Sequence, residues 1–359
     1  MERLSAALLG ATGIAGQQFL PFLAEHPYFE LKVLSASARS AGKSYKDAAK
    51  WYQEYYIPDE FVNMPVISTE EALEKADFDI LFCALPSEIA AEWEPKFAEK
   101  GVTVFSDAGC FRKEKDVPVM IPEVNYDHIN LLTKQRENRN WKGGIVKNPN
   151  CTTVAAAMAL APLKKYGIKR VFLSSMQAVS GAGYDGVPSM AITDNVIPYI
   201  SGEEEKVEFE NLKILGDLDE AKGEVRLLPA VFSASCHRVH TLYGHIEALF
   251  IEFEKEVDID DVKDSIRNFT SKPQQLGLPT APKIPVILTE DPFRPQVRLD
   301  RNAGEPERCK GMSATVGRVR YDHDEKNRIK LITLAHNSIR GAAGNLVLTA
   351  ELAKAEGLI

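Results

Sequence analysis

The sequence predicts an α/β protein of two domains, a doubly wound parallel sheet followed by an α+β domain with a mixed, largely antiparallel sheet. The chain has 359 residues, which is enough for two domains of ordinary size. In the first half, short apolar runs alternate with polar helical stretches, as in parallel sheets with helices on both faces. In the second half, longer segments of alternating polarity favour antiparallel strands.

The chain begins with a predicted strand, glycine turn and helix. LSAALL (4–9) ends in GATGIAG (10–16), and QQFLPFLAEHP continues as an amphipathic helix. Such a turn lets backbone N–H groups approach a pyrophosphate at a helix N-terminus. The spacing GxxGxxG, set by Gly10, Gly13 and Gly16, indicates a Rossmann-like dinucleotide-binding domain, although glycines also occur in other strand-to-helix turns.

The second apolar run, LKVLSASARS (31–40), indicates which dinucleotide this domain binds. An NAD site usually has an acidic residue at the end of this strand, where it binds the ribose 2′-hydroxyl. Ser37, Arg39 and Ser40 stand there instead. A cation between two hydroxyls suits a 2′-phosphate, so the sequence predicts NADP. An exposed polar loop would explain Arg39 alone, but not its place after the glycine turn and helix.

Three further apolar runs predict more parallel strands, at 78–86, 102–109 and 143–150. Ligands of such sheets lie beyond the carboxyl ends of the strands. The residues at these ends should therefore converge on one crevice. They are Ser87, the segment 106–110 and Cys151.

Cys151 lies in KNPNCTT, between an extended segment and an Ala-rich stretch. A residue before proline is pushed toward extended geometry, whereas Thr152, Thr153 and the alanines that follow favour a helix that starts near Cys151. A thiol near the positive end of a helix dipole has a lowered pKa and is more nucleophilic as the thiolate. A buried structural cysteine is the alternative explanation.

The second half supplies candidate partners for this thiol. A strand that runs into a glycine-rich loop is predicted at 169–190. A helix predicted at 203–215 carries Glu203 and Lys206 on one face, although a solvated ion pair is the commoner reason for that spacing.

The segment CHRVHTLYGHIE (236–247) combines one arginine with three histidines. On an ideal strand Arg238 lies opposite His237 and His245, but a bend near Gly244 would change this parity. Parity therefore does not identify a catalytic histidine. No metal is predicted, because no acid and no Cys2His2 pattern accompanies the histidines.

The last part of the chain predicts long strands and a terminal helix. PVILTE, SATVGRVRYD and RIKLITLAHN read as strands, and 337–359 reads as a helix with an early glycine-rich turn. We expect this helix to pack back onto the first domain, because the small residues at 341–344 permit close approach.

Composition argues against several classes of protein. The formal net charge is −8 and the pI about 5.6, so no basic excess is available for nucleic acid or an anionic membrane. No apolar run approaches a membrane span, and the glycine turn comes too early for a signal peptide, so a cytoplasmic protein is expected. The five cysteines lack CxxC spacing, and we expect free thiols.

Nine ordered motifs resemble the aspartate-semialdehyde dehydrogenases of the archaeal and fungal branch. They extend over nearly the whole chain, so the resemblance is specific, whereas GATG or the Cys motif alone would be weak. The motifs are GATGIAGQ, LSASARSAGKSY, FRKEKDVPVMIPEVN, NPNCTT, MQAVSGAGYDGVPSM, SGEEEKVEFENLKIL, SCHRV with GHIEA, RPQVRLDRN and HNSIRGAAG.

The resemblance implies NADPH-dependent reductive dephosphorylation of L-aspartyl 4-phosphate to L-aspartate 4-semialdehyde, the second step from aspartate toward lysine, threonine and methionine. It implies Cys151 as the acyl-enzyme nucleophile and His245 as the acid/base. Asn150 and backbone N–H groups at the start of the Cys151 helix are placed to stabilise the oxyanion. The other implied contacts are Arg238 with the substrate carboxylate, Glu203 with its amino group, Arg112 and Lys206 with phosphate, and Gln177 in substrate placement.

The resemblance also implies a domain division and an assembly. Residues 1–150 would bind NADP, completed by the helix 337–359, and residues 151–336 would form the catalytic and dimerisation domain. A homodimer or homotetramer built through the second domain's sheet is implied. The expected cofactor contacts are Gly10, Thr12, Gly13, Ile14, Ala15, Ser37, Arg39, Ser40, Ser87, Ser180, Gly181, Gly183 and Asn337.

Three positions depart from the family's usual pattern. His237 and Asp107 each replace a common Asn, and Cys110 is unusual in its place. Related malonyl-CoA reductases carry a histidine at the position of His237, so acyl-CoA reduction is the main alternative function. Such reductases tend to lose the residues that correspond to Asn150 and to the Glu203 and Lys206 pair.

Two further alternatives remain at this point. A reductase of N-acetylglutamyl phosphate would share the fold and the nucleophile. A non-catalytic, redox-sensing nucleotide-binding protein would use Cys151 as an oxidisable thiol.

Overall fold

The computed structural model describes residues 3–51, 53–183 and 185–359. Its first sheet has six parallel strands: β1 (Leu4–Leu9), β2 (Phe29–Ser35), β3 (Val66–Ile67), β4 (Ile80–Cys83), β5 (Thr103–Ser106) and β6 (Gly144–Lys147). The order in the sheet is β3-β2-β1-β4-β5-β6, which is that of dinucleotide-binding sheets. The predicted doubly wound sheet is therefore confirmed, and its strand order reverses at β1.

The glycine turn after β1 leads into two short helices, so the prediction of one continuous helix was wrong. Helix α1 is Ile14–Gln17 and helix α2 is Leu20–Leu23. Pro21 has no N–H and cannot donate to the carbonyl of Gln17, which interrupts the helix. The hydroxyl of Tyr55 donates to that carbonyl instead, at 3.2 Å.

The second sheet also has six strands: β7 (Ile168–Gln177), β10 (Val231–Arg238), β11 (His245–Phe253), β12 (Val286–Thr289), β13 (Ala314–Asp322) and β14 (Glu325–Ala335). A separate two-stranded ribbon joins β8 (Asp217–Asp219) to β9 (Glu224–Arg226). The order in the larger sheet is β10-β7-β11-β14-β13-β12. The two outer pairs are parallel and the inner pairs are antiparallel, which confirms a mixed, largely antiparallel sheet.

Helices cover both faces of the first sheet and one face of the second. The remaining α-helices are α3 (Tyr45–Ala48), α4 (Asp59–Val62), α5 (Thr69–Lys75), α6 (Ser87–Glu99), α7 (Pro122–Asn125), α8 (Leu131–Arg139), α9 (Cys151–Leu160), α10 (Ser189–Ile192), α11 (Glu203–Ile214), α12 (Ile259–Arg267), α13 (Lys272–Gln275), α14 (Val297–Asp300) and α15 (Gly344–Ala355). Short 3-10 helices are Tyr126–Asn130, Ala161–Tyr166, Val179–Ala182 and Glu307–Cys309, and a π-helical turn is Ile339–Ala343. Within the described ranges, no helix is long and apolar enough to cross a membrane.

The end of the chain returns to the first sheet. Leu346 and Val347 of α15 are fully buried in the same apolar cluster as Phe19 and Phe82. Gly344 allows this approach, because a Cβ there would lie 3.0 Å from the ring of Phe22. The terminal helix therefore packs on the first sheet, as the small residues at its start predict.

Candidate active site

Cys151 is the first residue of α9, directly beyond the carboxyl end of β6, as predicted. The side chain of Asn150 caps this helix, since its Oδ1 accepts from the N–H of Thr152 at 2.9 Å and from that of Thr153 at 3.4 Å. The cap engages two of the N–H groups that we expected to face an oxyanion. The Nδ2 group of Asn150 is left as the side-chain donor for that role.

His245 is the first residue of β11, and its imidazole lies beside the sulfur. Its Nε2 atom is 3.1 Å from Sγ of Cys151. The N–H of Ala178 donates to Nδ1 at 3.1 Å, so the proton of the neutral ring is on Nε2 and is directed at the sulfur. Gly244 has a φ of +95° and turns the chain between β10 and β11. This bend, not strand parity, selects His245 among the histidines of the segment.

The environment of His245 keeps its ring neutral. Burial lowers the pKa of His245 to about 3, and the charges of Arg238 and His336 act in the same direction. At physiological pH the ring therefore offers one N–H, which points at the sulfur or at an oxygen bound near it.

The thiol itself is more weakly acidic than expected. Burial raises the pKa of Cys151, and the carboxyl groups of Glu203 and Asp107 add to this, whereas Arg238 and Arg112 oppose it. The prediction of a lowered thiol pKa was wrong for the protein without substrate. The physical reason is that loss of hydration and two nearby carboxyl groups outweigh the helix terminus and the arginines.

Arg238 and Gln177 end neighbouring strands, where they pair in register. Arg238 is buried, and its Nη1 donates to the carbonyl of Ala178 at 2.7 Å. Ala178 thus orients Arg238 through its carbonyl and His245 through its N–H. Gly181 packs against both, since a Cβ there would lie 2.8 Å from Nη1 of Arg238 and 3.5 Å from Cε1 of His245.

Arg112, in the loop after β5, is buried and held by two acceptors. Its Nη1 donates to Oε1 of Glu210 at 3.0 Å, and its Nη2 donates to the carbonyl of Asp107 at 2.7 Å. Oε2 of Glu210 accepts from the N–H of Asn150 at 2.6 Å. One carboxylate therefore connects Arg112 to the loop that precedes Cys151. Lys206 lines the same surface pocket as Arg112.

Glu203 is the first residue of α11 and is buried. Its Oε1 accepts from the Thr152 hydroxyl at 3.4 Å, which places the carboxylate against the first turn of α9. Lys206, one helical turn later, is exposed. Glu203 and Lys206 thus share one face of α11. The buried carboxylate of Glu203 contacts α9, and the exposed Lys206 lines the pocket with Arg112.

The glycine turn after β1 has the close contacts that a phosphate-binding turn requires. Gly10 has a φ of +74°, and a Cβ there would lie 2.6 Å from the carbonyl oxygen of Ala84. A Cβ at Gly16 would lie 2.2 Å from the carbonyl oxygen of Gly10. Between them, Thr12, Gly13, Ile14 and Ala15 remain partly exposed. The backbone of this turn can therefore approach a dinucleotide where the strand order reverses.

The residues expected around the adenosine end lie at strand ends of the first sheet. Ser37 and Arg39 follow β2 and are exposed, and Ser40 is partly exposed. Ser87, at the start of α6, accepts from the N–H of Gly109 at 2.8 Å, which joins the loops after β4 and β5. These residues and the glycine turn lie along the same edge of the sheet.

Asn337 connects the glycine-rich loop to the turn before His245. Its Oδ1 accepts from the N–H of Gly244 at 2.8 Å, and its Nδ2 donates to the hydroxyl of Ser180 at 2.9 Å. Gly183, with a φ of +84°, ends the same loop. Residues far apart in sequence thus meet beside the imidazole.

Sequence reasoning missed two residues that organise this site. Glu210 follows Glu203 and Lys206 at positions i, i+3 and i+7, so helical periodicity alone would have placed it on the same face. Asn148 gives no such signal. Its Nδ2 donates to the carbonyl of Gly341 at 2.6 Å, and that partner is 193 residues away in sequence.

All five cysteines are free. In the described part of the chain, no group of three or more His, Cys, Asp or Glu side chains is arranged to hold a metal ion.

The chain matches known proteins over nearly its whole length. Residues 5–132 match the family model "Semialdehyde dehydrogenase, NAD binding domain", and residues 160–340 match "Semialdehyde dehydrogenase, dimerisation domain". An aspartate-semialdehyde dehydrogenase of Methanothermobacter thermautotrophicus is 50% identical, over 97% of this chain and 98% of that protein.

Two further relatives are similar along the full chain. The crystal structure of aspartate semialdehyde dehydrogenase with NADP from Candida albicans has a TM-score of 0.88 and 37% identity, and covers 100% of both chains. A malonyl CoA reductase (NADP) of Metallosphaera sedula is 39% identical, over 99% of this chain and 98% of that protein. The matches to archaeal and fungal dehydrogenases confirm the resemblance found in the sequence, and the chain belongs to the aspartate-semialdehyde dehydrogenase family.

Proposed function

We propose that this protein is an NADP-dependent enzyme that converts L-aspartyl 4-phosphate to L-aspartate 4-semialdehyde and phosphate through a thioester on Cys151, in the biosynthesis of lysine, threonine and methionine. The observation that carries the proposal is the 3.1 Å contact between Sγ of Cys151 and Nε2 of His245. Two buried arginines, Arg112 and Arg238, lie around this pair. The names of the relatives support the same reaction.

The thioester route explains why a thiol and two arginines are placed together. A carboxylate resists hydride attack, but thiolate attack on an acyl phosphate expels phosphate and leaves a reducible thioester. Arg238 binds the substrate carboxylate and Arg112, with Lys206, binds the phosphate, because a guanidinium fork matches both groups. These cations also favour the thiolate, against the burial and the carboxyl groups that oppose it. Glu203 binds the substrate amino group, and Gln177 helps to place the substrate.

His245 acts at the oxygen of the reacting carbon. With its proton on Nε2, it donates to the sulfur once the thiolate has formed and to the oxyanion as the tetrahedral species forms. When that species collapses to the aldehyde, Nε2 of His245 takes the proton back from the oxygen. The Nδ2 group of Asn150 is a second donor to this oxygen, a contribution of about 3 kcal/mol per donor in other enzymes.

The first sheet fits NADP. Bound NADPH supplies the hydride that reduces the thioester to the aldehyde. The close backbone contacts at Gly10 and Gly16 make the tight turn whose N–H groups would bind the pyrophosphate, and Arg39, exposed after β2, would bind the 2′-phosphate. The loop with Ser180, Gly181 and Gly183, held by Asn337, lies beside His245, where a nicotinamide must reach the thioester. On this proposal residues 1–150 and 337–359 bind the cofactor, and residues 151–336 carry catalysis.

We infer a cytoplasmic homodimer or homotetramer. The outward face of the second sheet carries Phe172 and Phe250, which pair across β7 and β11 and are 50% and 42% exposed. Burial of this open face against a second copy would remove apolar surface from water. Sedimentation velocity of the purified protein measures the oligomer directly.

A substrate comparison tests the reaction. Oxidation of NADPH should follow addition of aspartyl phosphate and not of malonyl-CoA or N-acetylglutamyl phosphate. His237 supports this choice, since it donates to the carbonyl of Ser175 from the opposite side of β10 to Arg238. Turnover of malonyl-CoA alone would refute the proposal. Mass spectrometry after mixing aspartate semialdehyde and NADP without phosphate should find the acyl adduct on Cys151.

Replacement of Arg39 by alanine tests the cofactor. Arg39→Ala should weaken NADPH binding by about tenfold or more, because a charge-assisted contact to the 2′-phosphate is lost, and should leave NADH binding unchanged. Fluorescence titration with both dinucleotides measures this difference. Equal loss for both would mean that Arg39 does not contact the 2′-phosphate.

A further inference from the structure

Asp107 is a carboxyl group at the active site to which the proposed reaction gives no role. Its backbone holds it firmly beyond the end of β5: its N–H donates to the carbonyl of Cys83 at 2.9 Å, and its own carbonyl accepts from Nη2 of Arg112 at 2.7 Å. The side chain is therefore fixed beside the arginine that binds phosphate.

The two oxygens of the Asp107 carboxyl group differ in their hydrogen bonds. Oδ1 accepts from Nδ2 of Asn148 at 2.9 Å, and the same amide donates to the carbonyl of Gly341 at 2.6 Å. Gly341 in turn lies against Cys151, since a Cβ added to it would be 2.7 Å from Cβ of the cysteine. Oδ2 of Asp107 has no hydrogen-bond partner within the described residues, and the side chain is partly exposed.

The groups around Asp107 act on its acidity in both directions. Burial raises the pKa of Asp107 and outweighs Arg112 and Lys147, which favour the carboxylate, while Glu210 on α11 favours the protonated form. The charge of Asp107 also raises the pKa of Cys151. A phosphate dianion bound at Arg112 would repel a carboxylate there but would accept a hydrogen bond from a carboxylic acid.

We propose that Asp107 is a catalytic acid that protonates the departing phosphate, and that in the reverse direction it is the base that takes the proton from attacking hydrogenphosphate. This inference rests on the proposed function. Two observations carry it: the unpartnered Oδ2 and the fixed place of Asp107 between Arg112 and the nucleophile's loop.

The step starts from the Cys151 thiolate, and from there it balances without another reactant. As Sγ of Cys151 bonds to the acyl carbon, the bond from that carbon to the phosphate oxygen breaks and its electron pair stays on the oxygen. The proton moves from Oδ2 of Asp107 to this oxygen, so that hydrogenphosphate leaves and Asp107 becomes a carboxylate. Solvent then returns the proton. General acid–base catalysis of this kind contributes about 100-fold or more to a rate.

Asp107→Asn tests the proposal because asparagine keeps the size of the side chain and an oxygen for the contact with Asn148, but has no acidic proton. The reverse reaction separates the steps: aspartate semialdehyde and NADP alone give a burst of NADPH as the thioester forms, and phosphate is needed only for turnover. We expect an unchanged burst and phosphate-dependent turnover that is about 100-fold slower. The pH dependence of turnover should also lose one ionisation, while the phosphate KM stays equal or falls.

Two controls complete the experiment. Glu114→Gln removes a solvent-exposed carboxylate from the same loop and should leave burst and turnover unchanged. Asp107→Ala should be slow, and acetate in the buffer should restore part of its turnover. Unchanged turnover in Asp107→Asn, or a burst and turnover reduced equally, would overturn the assignment. Absence of both burst and turnover in the wild type would instead refute the proposed function.

Discussion

At the scale of single residues, the reactivity of Cys151 depends on opposing charges within one small volume. The carboxyl groups of Glu203 and Asp107 hold the proton on sulfur, while Arg112 and Arg238 favour the thiolate. A substrate that brings an ammonium group to Glu203 would offset one of these carboxylates. The ammonium group would thereby remove part of the opposition to the thiolate that Glu203 provides.

Removal of one carboxylate should shift this balance. Glu203→Gln eliminates the negative charge that most opposes the thiolate, so the pKa of Cys151 should fall. The midpoint of the pH profile for alkylation of Cys151 by iodoacetamide, followed by mass spectrometry, should move to lower pH. Glu205→Gln, two residues along on the exposed side of α11, is the matched control and should leave the midpoint in place. A shift to higher pH in Glu203→Gln would contradict the electrostatic account.

Glu247 is a second unusual acid, two residues after His245 on the buried face of β11. Neither of its carboxyl oxygens has a hydrogen-bond partner within the described residues. Burial raises its pKa well above the ordinary value, and Glu203 adds to the effect. The side chain is therefore neutral in the folded protein at a pH where the unfolded chain would ionise it.

This neutral acid should make stability depend on pH. A carboxyl group whose pKa is raised by folding favours the folded state at low pH, and that contribution is lost as pH rises from the unfolded pKa of about 4.3 toward the folded pKa. Glu247→Gln cannot ionise, so its melting temperature should fall less than that of the wild type between about pH 5 and pH 8. Calorimetry at both pH values measures the difference, with exposed Glu254→Gln as control. Parallel profiles for wild type and variant would refute this account.

At the scale of elements, the π-helical turn Ile339–Ala343 presses against the first turn of α9. Gly341 provides the contact: a Cβ added to this glycine would lie 2.7 Å from Cβ of Cys151. Its carbonyl also accepts from Asn148, just before the nucleophile. The C-terminal segment therefore sets the position of the sulfur as well as the packing of the first sheet.

A single methyl group at this contact should displace the nucleophile. We expect Gly341→Ala to reduce kcat by about 100-fold, since a shift of about 1 Å in a reacting group has effects of that size. NADPH absorbance measures the rate, and the melting temperature should change little. Gly277→Ala is the control: Gly277 has a φ of +61° and no atom within 4 Å of an added Cβ, so it adds backbone strain in an exposed loop after α13. Equal activity in both variants would refute the role of Gly341.

At the scale of the whole molecule, a buried ion pair links the C-terminal segment to helix α7. Arg340 and Glu123 are both fully buried, and Nη1 donates to Oε1 at 2.9 Å. Arg340 follows the last strand of the second sheet, while Glu123 belongs to α7, which follows the first sheet's β5. The pair thus connects the segment that follows the second sheet to a helix that follows β5 of the first sheet.

Removal of one charge of this pair should lower the free energy of unfolding more than removal of both charges. Arg340→Met leaves Glu123 buried without a cation and should lower the free energy of unfolding by about 3–5 kcal/mol. The double variant Arg340→Met, Glu123→Gln should recover a large part of that loss, because no uncompensated charge remains. Urea denaturation followed by fluorescence compares the proteins. A double variant less stable than the single variant would contradict this account, because removal of the second charge would then relieve no penalty.

Much of this architecture follows from local sequence. Five of the six strands of the first sheet, the start of α9 at Cys151 and the helix from Glu203 are predicted by apolar periodicity, proline geometry and capping. The short edge strand β3 was missed. The break at Pro21 was missed, although the residue itself signals it. Glu210 was equally accessible from the helical period of α11.

By itself, the sequence determined the fold class, the family and the residue types at the site, because these depend on short-range pattern and composition. Only the tertiary structure decided which histidine meets the sulfur and on which nitrogen it carries its proton, since both depend on the turn at Gly244 and on Ala178, 67 residues away. It also decided the acidity of Cys151. A pKa is set by the water and charges around a group in space, and Glu203, Asp107 and the arginines reach the sulfur from separate parts of the chain.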